Sequence, residues 1–158
     1  MKLEEAESIA NEVVNLLNLL CERIEIAGSI RRGKSEINDI DIVLLPKPQF
    51  TSKGIQYKLE NAGAKAELGG KKMLKMFYKE KQVDIYIAER QNFEVLFLIR
   101  TGSALHNQML CQKALNKGLK MNFTLGLINK DKNVVANTEK EILENLLGKY
   151  IEPKDREV

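Results

Sequence analysis

Apolar residues recur at Leu3, Ala6, Ile9, Ala10, Val13, Leu16, Leu17 and Leu20. That is the spacing of one buried helix face, so a helix is predicted from Leu3 to Leu20. Ile24 to Ile30 reads as a short strand running into a small-residue turn. Ile37 to Leu45 reads as a second strand, stopped by Pro46 and Pro48. Ser52 to Ala62 suits a helix ending near Gly63. Met73 to Tyr78 and Gln82 to Ala88 suit a hairpin turning at Lys79-Glu80-Lys81. A helix beginning at Phe93 is interrupted by Thr101-Gly102-Ser103 and resumes from Ala104 to Asn116, capped by Gly118. Short strands are expected over 119–128 and 134–135, with Asn129 to Asn133 between them. Thr138 and Glu141 form a capping box that opens a last helix ending at Gly148, before a polar tail from Tyr150 to Val158. The pattern predicts an α+β chain. A mixed sheet with flanking helices occupies 1–92, and a helix-rich lobe occupies 93–158.

Composition narrows the class without naming a function. The chain has 158 residues, 44% hydrophobic and 30% charged, which is enough for a true core. A net charge of +3 allows a nucleic-acid partner but does not announce one. Cys21 and Cys111 lack ligand spacing and read as reduced thiols. No apolar run approaches the ~20 residues of a membrane span, and Glu4, Glu5 and Glu7 are unlike a signal peptide. A cytoplasmic monomer is expected. With His106 the lone histidine, a multi-histidine metal centre is excluded.

Chemistry concentrates in three places. Asp39-Ile40-Asp41-Ile42 alternates with period two, which in a strand puts both carboxylates on one face. Asp84 sits in a similar alternation. If the two strands are neighbours, three carboxylates converge and repel one another unless a cation is present. A pair of Mg²⁺ ions about 3.5–4 Å apart would relieve that repulsion and clamp an in-line phosphoryl displacement. Taken alone, an Asp-x-Asp is more often a solvated strand surface. Gly28-Ser-Ile-Arg-Arg-Gly-Lys34 precedes it, a small-residue turn suited to phosphate, with arginines for bidentate bonds. The combination is far rarer than its parts.

Together these segments resemble the signature of family X DNA polymerases, within the nucleotidyltransferase superfamily. Asp84, Thr101-Gly102-Ser103 with Asn107, and the tail Ile151-Glu-Pro-Lys-Asp-Arg-Glu157 extend the resemblance over nearly the whole chain as palm plus thumb. The resemblance implies that Asp39 and Asp41 bind two Mg²⁺ ions, for which Mn²⁺ can substitute. Asp84 would bind the catalytic one and favour deprotonation of a primer 3′ hydroxyl. Ser29 and Arg32 would hold the β- and γ-phosphates of a dNTP, and Arg31 would tie the lobes together. Gly102 and Asn107 would lie against the nucleotide's sugar and minor-groove edge. Gly28, Asn38, Ile99, Arg100, Thr101 and Ser103 complete the implied nucleotide site. The implied partner is primer–template or gapped DNA, and the implied role is short-gap repair synthesis.

Three positions depart from that pattern. Ile99-Arg100 replaces an aromatic pair that helps exclude ribonucleotides, so weakened sugar selection is expected. Gln82 and Cys111 stand where basic residues contact primer and template. Template-independent terminal transfer is therefore the nearest alternative. A superfamily enzyme acting on protein, tRNA or a small molecule ranks lower, as does a non-catalytic DNA-end binder. Lysines around the hairpin (71, 72, 75, 79, 81) and after the long helix (113, 117, 120) are either a solvated face or a phosphate track. His106 is expected to be a satisfied structural histidine.

Overall fold

The computed structural model describes residues 1–157. Helix α1 spans Leu3–Leu17 and buries Ala6, Ile9, Ala10, Val13 and Leu17. The helix expected to Leu20 stops earlier; Asn18–Leu20 is one 3-10 turn with Leu19 exposed. Strand β1 (Cys21–Ile26) leads into a four-residue helix, α2 (Gly28–Arg31), and then β2 (Ile40–Pro46), α3 (Ser52–Asn61), β3 (Lys65–Leu68), β4 (Met73–Tyr78) and β5 (Lys81–Ile87). The strand expected from Ile24 to Ile30 thus ends at Ile26 and turns helical. The one expected from Ile37 starts at Ile40, leaving Asp39 just outside it. Strand β3 was not anticipated, because it is only four residues long and all four are exposed.

The five strands are ordered β1-β2-β5-β4-β3, and β2 pairs with β5 in parallel while the other pairs are antiparallel. A parallel pair requires a long crossover, here supplied by α3, β3 and β4. Period two then sorts the side chains. Ile40, Ile42, Leu44, Val83 and Ile85 join α1 and α3 in the largest core cluster. Asp41, Val43, Asp84 and Tyr86 take the opposite face. Val43 and Tyr86 are covered there by Phe93 and Phe97 of α4 (Phe93–Thr101).

Helix α4 serves two cores. Phe93 and Phe97 pack on the sheet, while Val95 and Leu98 join Leu110, Ala114, Met121, Leu127, Ile142, Leu143 and Leu146 in a second cluster. Each such buried side chain contributes roughly 1.5–3 kcal/mol. Helix α5 (Ala104–Asn116) follows the break at Gly102. After it come β6 (Lys120–Asn122), β7 (Gly126–Ile128), β8 (Val134–Ala136) and α6 (Glu139–Leu147). The strand expected over 119–128 is a hairpin: the Asn122 side chain accepts from the Thr124 and Leu125 N–H groups and turns the chain. The second lobe therefore carries a three-stranded sheet beside its helices. Thr138 caps α6 by accepting from the Glu141 N–H. Among the described residues, no helix is long and apolar enough to cross a membrane.

Candidate active site

Asp41 and Asp84 are Cα register partners across the parallel β2–β5 pair, so their side chains leave the same face of the sheet. Asp39 joins them electrostatically from the loop before β2. Burial, then Asp84, then Asp39 push the Asp41 carboxyl up to about 7. Burial and Asp39 also raise Asp84, against hydrogen bonds from Gln82. The Gln82 amide reaches both Asp84 oxygens at 3.1 and 3.2 Å. The Tyr86 hydroxyl lies 3.5 Å from Asp41 Oδ1, at the long limit of a hydrogen bond.

The Arg100 guanidinium lies 4.1 Å above the Tyr86 ring. Its charge favours the ionised forms of Asp41 and Asp84. It thus lies beside the acidic face while remaining exposed. Among the described residues, no three carboxylate, imidazole or thiol groups close into a ready-made metal cage. Asp39, Asp41 and Asp84 are instead an open cluster of hard oxygen donors under mutual repulsion, which fits a divalent cation that retains water and phosphate ligands.

Gly28 makes this crowding sterically possible. Its φ is +61°, and a Cβ there would sit 2.1 Å from Asp41 Oδ2. The N–H groups of Arg31, Arg32, Gly33 and Lys34 bond to carbonyls within the same turn. Those four backbone donors are therefore engaged within the turn, and Ser29 and Arg32 line the neighbouring cleft. Ser29, Arg32, Lys34, Glu36, Asn38, Asp39 and Asp41 line one cleft of about 270 Å³. Arg32 Nε donates to Glu157 at 2.9 Å and Nη1 to the Thr101 carbonyl at 2.6 Å, and Lys34 lies 3.5 Å from the same Glu157. A larger cleft, about 580 Å³, lies between α5 and the β6–β7 hairpin; leucines, lysines and asparagines line it, and no carboxylate does.

The other expected nucleotide contacts divide. Gly102 adjoins Arg32, with φ +67° and Arg32 Nη1 3.1 Å from a Cβ placed there. Thr101 is fully buried, accepting from Arg31 at 2.8 Å and donating to the Phe97 carbonyl. Ser103 caps α5, and its N–H donates to the Arg156 carbonyl. Asn107 donates to the Ile99 carbonyl at 2.9 Å, spanning the helix break, while Ile99 packs on the second core. Thr101, Ser103, Asn107 and Ile99 are thus engaged in shaping the junction.

At that junction Arg31 ties the two lobes together, in the role the resemblance implied, but through partners the sequence did not indicate. Glu139 binds both nitrogens of the Arg31 fork at 2.7 and 2.8 Å and Arg156 Nη1 at 3.0 Å. Arg156 is completely buried, although it lies in a tail that looks merely polar. Burial alone would raise Glu139, but hydrogen bonds from Arg31 and Arg156 outweigh it and bring it down to about 2. His106 is buried nearby and held neutral, with burial taking it down to about 4, but neither ring nitrogen has a partner, so it is not the satisfied histidine expected. Of the hairpin lysines, Lys75 pairs with Glu67, Lys79 with Glu12 and Lys81 with Glu5 in partly exposed ion pairs. The pairings found only here join residues too distant in sequence for any local pattern to reveal.

Residues 96–157, from within α4 to the carboxy-terminal tail, match the family model of the DNA polymerase beta thumb. A five-stranded mixed sheet precedes that segment, an arrangement consistent with a palm in front of a thumb of the family X polymerase type.

Proposed function

We propose that this protein is a nucleotidyltransferase that adds dNTPs to a DNA primer 3′ end, filling short gaps on a template. The observation that carries this reading is the register of Asp41 and Asp84 on one face, beside a cleft lined by Ser29, Arg32 and Asn38. Asp39, Asp41 and Asp84 would hold Mg²⁺, whose chemistry there is to neutralise triphosphate charge and polarise the attacking hydroxyl. Ser29 and Arg32 bind the outer phosphates and fix the in-line geometry. Asp84 favours removal of the primer hydroxyl proton. The primer oxygen bonds to the α-phosphorus, the α–β bridging bond breaks, and pyrophosphate leaves. Positioning and electrostatics supply most of the rate in such transfers. DNA binding follows from the thumb match.

Incubation with labelled one-nucleotide-gapped DNA, each dNTP separately, and Mg²⁺ tests the reading. Addition of the complementary nucleotide is expected, and Mn²⁺ should substitute. No extension with either ion overturns it. Terminal transfer has one observation in its favour: the Gln82 amide is taken up by Asp84, leaving β5 without an outward primer contact there. Equal extension of a single-stranded primer selects that alternative.

A further inference from the structure

We propose that Glu157 is a displaceable substitute for a nucleotide phosphate, holding Arg32 and Lys34 until a triphosphate takes them. This rests on the nucleotide-binding reading above and adds a competitor built into the chain. Arg32 and Lys34 are the cations lining the cleft beside Asp39 and Asp41, and Glu157 engages both, one carboxylate oxygen to each. The Arg32 Nη1 donor is committed to the Thr101 carbonyl, so Nε is on the edge left for an anion, and Glu157 holds it. A carboxylate offers oxygens to a guanidinium much as a phosphate does.

The ion pair is built to yield. Glu157 is 39% exposed on its side chain and Lys34 46%, against 14% for Arg32, so the carboxylate reaches Arg32 from the solvent side of the cleft. A pair with one partner in water contributes little. A triphosphate brings several charges to the same two cations and wins. A monophosphate does so weakly, which makes the contact a filter for polyphosphate. The tail need not unwind: Arg156, one residue earlier, is buried and its carbonyl accepts from Ser103 at 2.9 Å, so the Glu157 side chain moves from a fixed base.

The opposite role, Glu157 orienting Arg32 for phosphate, predicts the opposite sign. Calorimetric titration of the full chain with inorganic tripolyphosphate, and with a non-hydrolysable dATP analogue plus Mg²⁺, separates them. Glu157→Gln should bind both probes about three- to tenfold more tightly than wild type. Glu157→Ala is the second variant, with melting temperature read for each. Equal or weaker binding by both variants, with wild type binding the dATP analogue, overturns the proposal and leaves the nucleotide site standing. No binding of the dATP analogue by any of the three proteins overturns both.

Discussion

Asp41 and Asp84 stand side by side as register partners on parallel strands, two carboxylates on one face of the sheet. Their repulsion is the source of a first expectation. Asp41→Asn and Asp84→Asn should each lower primer extension by about a thousandfold or more, because the charge that holds a divalent cation is lost. In EDTA the same changes should stabilise the fold. The folded Asp41 carboxyl is near 7, above its ordinary 3.8, so its contribution is fully present below about pH 3.8 and is lost as pH rises through 7. The wild type should therefore fall behind Asp41→Asn between pH 4 and 8, by on the order of 4 kcal/mol. Denaturant unfolding of both proteins across that range measures the difference. A flat difference would remove the electrostatic strain inferred at the site.

Gly28→Ala should be far more damaging than an ordinary surface glycine change. The added Cβ meets a carboxylate oxygen rather than open space, and φ is positive. Loss of stability of about 2–4 kcal/mol is expected, with Asp41 forced away from Asp84. Gly33 is the control: its φ is also positive, at +71°, but nothing lies within 4 Å of a Cβ there. Gly33→Ala should cost about 1 kcal/mol, and comparable losses at the two glycines would mean that the contact with Asp41 is not what matters.

These two cases mark how far the sequence was legible. The alternation of Asp39-Ile40-Asp41-Ile42 is local, so the shared side of an aspartate and the burial of the isoleucines follow from period two. The pairing of β2 with β5 is set by packing across a crossover, and no local pattern encodes it. Edge strand β3 was invisible because exposed residues carry no burial signal. The bond from Arg31 to Glu139 spans 108 positions, and a buried Arg156 in a polar tail contradicts every compositional rule until its partners are placed around it.

Arg100→Ala should tighten binding of the first divalent cation. The guanidinium stacks on Tyr86 and lowers the negative potential at Asp41 and Asp84. Removing it leaves the acidic cluster more strongly negative, and Mn²⁺ affinity read by electron paramagnetic resonance should rise about three- to tenfold. Arg100→Lys, which keeps the charge, should bind Mn²⁺ close to wild type. Unchanged affinity in Arg100→Ala would show that the arginine's field does not reach the carboxylates.

A pH dependence of the opposite sign belongs to Glu139. Its carboxylate is 7% exposed and sits between two arginines, one of them wholly buried. Replacing it with alanine leaves two cations without a counter-ion and should cost about 3–5 kcal/mol. Arg31→Met paired with Glu139→Leu should lose less than the single Glu139→Ala change, because it removes one of those cations along with the carboxylate. For pH, the folded carboxyl lies near 2, below its ordinary 4.5. Its stabilisation is therefore fully present above about 4.5 and is lost as pH falls through 2. Over that window the wild type should lose on the order of 3 kcal/mol that Glu139→Gln does not. Parallel unfolding curves for the two proteins between pH 5 and 2 would show that the arginines do not hold this carboxylate in its charged form.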